Sequence, residues 1–464
     1  MKKIFALLFI ASVVISCSED IMDDINRDRN NAQDMDAMNL LPDAILLTAF
    51  ETTATDLAWY ATVFIEHNAG TWAQSWDADR RANLESSSLL NNSWNGLYSV
   101  MNSAKTIIEK TDPSTGSEPG NFFARGIAQI LMAYNLATTT DFWGKIPYEE
   151  AFQGADNLQP AYQNQSTIYP VVISLLEEGI ANISKATRSP GNKDLFYGGS
   201  AEAWVKAGYS FLARYQLQLT KVDTNAAQKA LAAAEKGFES AADQLILDGF
   251  AIALPGSNPW GEFWYYREHL SVSSTIDDLL TERNDPRKEN MYDPEGPIAP
   301  IGTANQTQGG YTQSYYTSGY GAMAEDIIVF SYQELKFIIA EAKFRTGADD
   351  WQDALQEAIE ASFEFHGADI GDYFEEEVLP RLTTGNELKE IMTQKYIAFF
   401  DREAIQAYND YRRTGFPEMK NPNNATVGFP HRAPYPVSEV SSNSANVPNI
   451  NIYTDKVWWA GGTE

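Results

Sequence analysis

The sequence predicts a mostly α-helical protein with long irregular loops. Several segments repeat apolar residues at steps of three and four, which is the spacing of an amphipathic helix. The stretches between them are rich in Gly, Pro, Asn and Ser, which favour loops and turns. No long low-complexity linker divides the 464 residues, so we expect one large folded body.

Residues 1–16 have the pattern of a signal peptide. Two lysines at positions 2 and 3 precede an apolar run over residues 4–14, which only Ser12 interrupts. That run is too short to span a bilayer, which needs about 20 apolar residues. We therefore expect these residues to be removed on secretion.

Cys17 is the only cysteine of the chain and follows a small residue, Ser16. This arrangement resembles the lipobox of bacterial lipoproteins, in which the cysteine is lipidated and becomes the first residue of the mature protein. The alternative is an ordinary signal peptide that happens to contain a cysteine. A single cysteine can form no internal disulfide, which favours the lipid anchor.

Residues 17–36 are predicted to form an acidic tether, and residues 37–464 the folded domain. The tether begins with Glu19, Asp20, Asp23 and Asp24. It resembles the acidic signal that directs some lipoproteins to the outer face of the outer membrane. A solvated acidic linker is the alternative. We expect an outer-membrane protein that is held by lipid and faces the cell exterior.

Four segments have a clear helical period, and each must bury one face against another helix. A further helix is expected over residues 225–245, which are rich in Ala, Glu and Lys. Small residues such as Gly208 and Ala340 allow close helix approach. The periodic positions are Ile127, Ile130, Leu131 and Tyr134; Ala201, Trp204, Val205, Gly208, Leu212, Tyr215 and Leu219; Leu335, Ile338, Ile339 and Ala342; and Leu388, Ile391, Met392, Tyr396 and Phe399.

Long irregular stretches are expected at residues 249–265 and 293–321 and in the tail from Gly415. Long loops in a compact domain are usually functional or disordered. Disordered segments are poor in aromatic residues, and these stretches contain many. We therefore expect the loops to carry function.

The formal net charge is −29 and the isoelectric point is near 4.5. Nucleic-acid binding needs a basic face, so the composition argues against it. No segment after the signal peptide has the length and apolarity of a membrane-spanning helix. The acidity is typical of soluble extracellular proteins.

No catalytic constellation is evident in the sequence. The four histidines have no metal-ligand spacing, and neither a nucleophile elbow nor a phosphate loop is present. Asp410, Arg412 and Arg413 are interpreted as buried ion pairs, and the tryptophans at 458 and 459 as core packing. The 63 carboxylates leave a pair for glycosidase chemistry possible.

Six motifs in fixed order resemble the SusD/RagB family of outer-membrane nutrient-binding lipoproteins, and more closely its SusD-like subgroup. The resemblance runs from the lipobox to the C-terminus. The motifs are TDFWGKIPY at residues 140–148, the helix over 332–345, QKYIAFF at 394–400, DYRRTGFP at 410–417, PHRAPYP at 430–436 and VWW at 457–459.

The resemblance implies a SusD-like fold, with tetratricopeptide-like helix pairs as scaffold, long irregular loops and a few short strands. It implies capture of a nutrient, usually an oligosaccharide, and delivery to a SusC-like TonB-dependent transporter barrel on which the protein acts as a lid. It implies no cofactor and no catalysis. Three alternatives stay open: a peptide-binding member of the family, a surface glycoside hydrolase or lyase on a helical scaffold, and a structural envelope lipoprotein.

Three loop-like segments combine aromatic rings with polar groups, which suits a sugar because its C–H faces stack on rings and its hydroxyls bind polar side chains. They span residues 68–80, 258–267 and 311–320, and we expect them to form a shallow, solvent-open platform. Core packing is the alternative for any single ring. The candidate ligand residues are Trp72, Trp76, Asp77, Trp260, Trp264, Tyr266, Tyr315 and Tyr316.

Overall fold

The computed structural model describes residues 35–84, 88–302, 308, 321–400, 402–422, 425 and 427–464. Cys17, the predicted signal peptide and nearly all of the predicted tether lie outside these residues. Within them, every helix is too short or too polar to span a bilayer.

The described chain is mostly helical, as the sequence predicts. Six short strands form three separate antiparallel pairs, β1–β5, β2–β3 and β4–β6. The α-helices are α1 (Ala37–Leu47), α2 (Asp56–Phe64), α3 (Ala73–Asp79), α4 (Asn91–Lys110), α5 (Phe122–Trp143), α6 (Gln165–Ile183), α7 (Ala201–Gln218), α8 (Ala226–Ala234), α9 (Pro259–Glu262), α10 (Ser274–Glu282), α11 (Lys288–Met291), α12 (Tyr332–Thr346), α13 (Trp351–Phe365), α14 (Glu387–Ala398), α15 (Ala404–Thr414) and α16 (Val437–Ser442). The strands are β1 (Asn68–Gly70), β2 (Ile146–Pro147), β3 (Tyr162–Gln163), β4 (Leu245–Leu247), β5 (Leu270–Val272) and β6 (Ile327–Phe330).

The scaffold is a stack of helices in which sequence neighbours pack together. Helices α4 to α7 each contact the next helix in the chain, and α8 contacts α12, which pairs with α13. Their apolar stripes meet in one large core. This arrangement of successive helix pairs agrees with the expected tetratricopeptide-like scaffold.

Glycines allow helices α5 and α6 to cross at close range. A Cβ on Gly126 of α5 would lie 2.7 Å from the carbonyl oxygen of Gly179 on α6, and a Cβ on Gly179 would lie 3.0 Å from the carbonyl oxygen of Gly126. A Cβ on Gly208 of α7 would lie 2.5 Å from the side chain of Ile180 on α6. Any larger side chain at these points would push the helices apart.

Buried ionic groups tie the C-terminal helices to the scaffold. Arg413 donates to Glu341 at 2.6 Å and to Asp410 at 2.7 Å, which confirms the predicted ion pairs for these two motif residues. Arg412 instead donates to the carbonyl oxygen of Asp141 at 2.6 Å, and no carboxylate is among its hydrogen-bond partners in the described chain.

The C-terminal tail is pinned to the end of α5. The Trp459 indole is fully buried and donates to the Asp141 carboxylate at 2.7 Å, which confirms its expected core packing. Trp143 donates from its indole to the carbonyl oxygen of Pro434 at 2.8 Å. Helix α5 ends at Trp143, where Gly144 takes a φ of +78° that favours glycine.

The prediction of one helix over residues 225–245 is wrong in its second half. Helix α8 ends at Ala234, and residues 245–247 are strand β4, which pairs with β6. The chain passes close to its neighbours after α8, because a Cβ on Gly237 would lie 2.8 Å from Leu335. Tertiary pairing therefore overrides the helical composition here.

Candidate functional site

Strands β1 and β5 join two of the three segments that the sequence singles out. Asn68 pairs with Val272 and Gly70 with Leu270. Beyond the ladder, the Thr71 amide donates to the carbonyl oxygen of His269 at 2.8 Å. Residues 71–80 and 258–269 therefore leave one short ladder together, and we call the surface that they form the β1–β5 face.

Helix α3 folds back tightly onto β1. A Cβ on Gly70 would lie only 1.8 Å from the carbonyl oxygen of Ser75, so only glycine fits there. Ala73 begins the helix with a φ of +51°, which is costly for a residue other than glycine. The turn fixes where Trp72 and Trp76 lie on the face.

Trp76 and Asp77 of α3 form one cluster with Arg80, the residue that follows the helix. The Arg80 guanidinium carbon lies 3.3 Å from the centre of the Trp76 ring, and its Nη2 donates to Asp77 at 3.1 Å. All three side chains are partly exposed, as is that of Trp72. Arg80 was not among the predicted ligand residues, although a four-residue step from Trp76 places the two side chains on one side of a helix.

Trp260 and Trp264 do not lie at the surface. They are 6% and 3% exposed and belong to the main core, with their ring centres 6.4 Å apart. Helix α9 continues into a wider helical turn, Phe263–Arg267, so the four-residue step turns both indoles inward. The prediction that Trp260 and Trp264 form part of an open platform is therefore wrong. Both side chains pack in the core.

Tyr266 is the exposed ring of this second segment. It is 55% exposed, and its ring meets that of Tyr265 edge-on, with centres 5.0 Å apart. Phe263 of the same turn is buried, and its ring stacks on that of Trp59 with the centres 3.9 Å apart. The exposed ring of Tyr266 thus belongs to a turn that is held by core packing.

Tyr315 and Tyr316 lie outside the described residues. The described residues on either side of the third segment do contact the second one. The Gln308 side chain donates to the carbonyl oxygen of Arg267 at 3.1 Å, and the Asn258 amide donates to the carbonyl oxygen of Met323 at 2.8 Å.

Glu66 anchors the root of the face. Its side chain is fully buried and accepts hydrogen bonds from the Thr275 hydroxyl at 2.5 Å and from the amides of Lys420 and Asn421 at 3.0 and 2.9 Å. The neighbouring His67 is buried too, and burial lowers its pKa to about 3, so its ring is neutral. These contacts hold β1 to α10 and to the tail.

Within the described residues, no three His, Cys, Asp or Glu side chains converge as metal ligands would. The β1–β5 face offers exposed rings, a guanidinium and a carboxylate, which suit binding by stacking and hydrogen bonding. A stack of helix pairs that presents such a loop-built face has the architecture of a helical binding protein.

The chain belongs to the SusD-like family. The family model, described as "Starch-binding associating with outer membrane", matches residues 29–436. No curated protein sequence matches the chain.

Solved structures of the same family share the fold over nearly the whole chain. A SusD/RagB family protein from Bacteroides thetaiotaomicron is 30% identical with a TM-score of 0.83, and the match covers 93% of this chain and 100% of that one. A chitin-binding SusD homolog from Flavobacterium johnsoniae is 18% identical with a TM-score of 0.76, covering 90% and 98%. A SusD homolog from Bacteroides uniformis is 20% identical with a TM-score of 0.75, covering 92% and 100%.

Proposed function

We propose that the protein binds an oligosaccharide on the β1–β5 face and delivers it to a SusC-like TonB-dependent transporter in the outer membrane. The observation that carries the proposal is the convergence of two distant aromatic segments on the β1–β5 ladder. Tyr266 is exposed, Trp72 and Trp76 are partly exposed, and all three lie in segments that leave the ladder side by side.

The chemistry of this face suits a neutral sugar chain. Sugar C–H faces stack on rings such as that of Tyr266, and the Asp77–Arg80 pair offers both an acceptor and donors to hydroxyl groups. An exposed ion pair adds little to stability, so its polar groups can exchange partners with a ligand at low cost. The guanidinium on Trp76 holds that ring in a defined orientation.

Membership of the family supports the cellular setting. Its description places members at the outer membrane and names starch binding, and one structural neighbour is described as chitin-binding. Delivery to a transporter barrel and a lipid anchor on Cys17 rest on the resemblance described above. The same resemblance implies no cofactor and no catalysis, so we expect retention of the ligand rather than turnover.

Binding assays on alanine variants test the proposal. Trp72→Ala, Trp76→Ala and Tyr266→Ala should each weaken binding of the glycan that the parent retains, by about 1–3 kcal/mol. Trp351→Ala removes a partly buried ring on α13, away from the face, and serves as the matched control. Parent-like binding by all three face variants would overturn the proposal, and release of shortened product by the pure protein would favour the hydrolase or lyase alternative.

A further inference from the structure

A cleft of about 650 Å³ lies outside the β1–β5 face. It opens between the segment that leads into β6, helices α11, α12 and α13, and the turn at Phe400. No residue of β1 to α3 or of segment 258–269 lines it. Its volume falls in the range of small-molecule sites, about 300–1,000 Å³.

The walls combine aromatic rings with hydrogen-bonding groups. Tyr332 and Phe365 are partly exposed, and Phe400 is buried behind them. Amide side chains stand beside the rings, among them Gln244 and Asn290. This mixture favours a ligand with both C–H faces and polar substituents, as a sugar has.

Two amide side chains at the cleft use their nitrogen atoms on acceptors of the protein itself. Gln333 is 1% exposed, and its Nε2 faces two acceptors, the carbonyl oxygen of Ala398 at 3.0 Å and Glu403 at 3.2 Å. Its Oε1 therefore has no hydrogen-bond partner in the described chain. Asn290 likewise uses its Nδ2 on the carbonyl oxygens of His366 and Gly367, at 3.0 and 2.6 Å. A ligand that donates hydrogen bonds fits such walls.

The cleft carries an excess of negative charge. Arg402 is ion-paired with Glu325, whereas neither Asp326 nor Glu364 has an ion pair within the described residues. Burial and the neighbouring Asp248 raise the pKa of Asp326, and the nearby Arg402 offsets only part of this. His366 adds no positive charge, because burial lowers its pKa to about 3.

We propose that this cleft is a second saccharide site, for one or two sugar units that carry an amino group, and that it excludes sugars with carboxylate or sulfate groups. An ammonium group placed by Asp326 and Glu364 would gain from both carboxylates, while an anionic sugar would meet repulsion. The rings supply the stacking surface.

The cleft is joined to the β1–β5 face through Asn258. The side chain of Asn258 donates to the carbonyl oxygen of Glu325 at 2.8 Å, and its Oδ1 accepts from the amide of Trp260 at 2.9 Å. Asn258 thus contacts both a wall of the cleft and the start of α9. The cleft and the β1–β5 face are therefore linked through the hydrogen bonds of one side chain.

Calorimetry with three probes of equal length tests the site: a glucosamine dimer, its N-acetylated form, and a disaccharide that contains a uronic acid. The parent should bind the glucosamine dimer most tightly and the uronic acid probe least. Asp326→Asn should weaken the glucosamine dimer about fivefold. Glu360→Gln removes an exposed carboxylate on the same helix as Glu364, outside the cleft, and should bind like the parent.

Two further variants test the cleft by a route other than its charge. Ala361→Phe would fill the cleft without a change of charge and should abolish binding of the glucosamine dimer, even if Asp326→Asn proves unstable. Trp351→Ala alters a ring outside both the cleft and the β1–β5 face and should bind the dimer like the parent. Equal binding of the uronic acid probe or parent-like binding by Ala361→Phe would overturn the second site. Either result would leave the proposed function intact, because the face variants test it separately.

Discussion

At the scale of single residues, burial separates the aromatic side chains that can meet a ligand from those that hold the fold. Trp76 is partly exposed and stacked under Arg80, whereas Trp264 is 3% exposed within the core. Both residues are tryptophans in aromatic segments that the sequence predicts as loops. The composition of these segments therefore does not show which of the two rings is buried.

Truncation of the two rings should give opposite results. Trp264→Ala should lower the free energy of unfolding by about 3–5 kcal/mol, since it leaves a cavity in the core. Trp76→Ala should lower it by less than about 1 kcal/mol, because its ring is only partly buried. Chemical denaturation of both variants measures this difference, and equal losses would show that Trp76 is a core residue.

Glu403 should make stability depend on pH. Burial, reinforced by the negative charge of Glu334, raises the pKa of Glu403 to about 8, and its carboxyl accepts from the Ser331 hydroxyl at 2.7 Å. The folded chain holds this proton more tightly than the unfolded chain does. The stabilisation that the protonated Glu403 gives to the folded state is therefore fully present below pH 4.5 and is lost as the pH rises through 8.

Glu403→Gln should flatten that dependence, because glutamine cannot ionise. Denaturation of parent and variant at pH 5, 6.5 and 8 measures how the free energy of unfolding of each changes with pH. The effects of other titrating groups are the same in both proteins and cancel in the comparison. Identical slopes would mean that Glu403 titrates in the folded protein as it does in the unfolded chain.

At the scale of elements, the crossing of α5 and α6 sets the spacing of the scaffold. Gly126→Ala should destabilise the protein by about 1–3 kcal/mol, because the new Cβ would lie 2.4 Å from the Ile183 side chain and 2.7 Å from the Gly179 carbonyl oxygen. Gly120→Ala is the matched control, since nothing lies within 4 Å of its Cβ position. The thermal unfolding midpoint of Gly126→Ala should be lower than that of Gly120→Ala. Equal midpoints would contradict the close approach of α5 and α6.

The sequence predicts these elements well where local pattern decides them. The three- and four-residue steps around Trp204 and Ile338 identify α7 and α12, because one face of each helix is buried. Strand β4 was missed because its pairing with β6 is a tertiary contact that the Ala-rich stretch before it does not reveal.

The candidate site was predicted only by region. The aromatic segments are visible in the sequence, but the β1–β5 ladder that joins them is a long-range pairing. The inward direction of Trp260 and Trp264 depends on the short helix α9 and the turn after it, within a stretch that was expected to be irregular. Glycine and proline there favour a loop and conceal the four-residue step.

At the scale of the whole molecule, the proposed lipid on Cys17 decides where the protein works. Cys17→Ala should move the protein from the membrane fraction to the soluble fraction, since every helix in the described part of the chain is too short or too polar to cross a membrane. Fractionation after a high-salt wash measures this, with Ser18→Ala as the control. A variant that still sediments with membranes would contradict the anchor.

A saccharide bound on the β1–β5 face should contact the rings of Trp72 and Trp76. A titration of the ¹⁵N-labelled indole resonances with the retained glycan tests this, each resonance being assigned by a single Trp→Phe variant. The indole signals of Trp72 and Trp76 should shift in proportion to the fraction bound, while those of the buried Trp143 and Trp204 should stay fixed. Saturable binding that leaves the signals of both Trp72 and Trp76 unchanged would show that the glycan does not bind on this face.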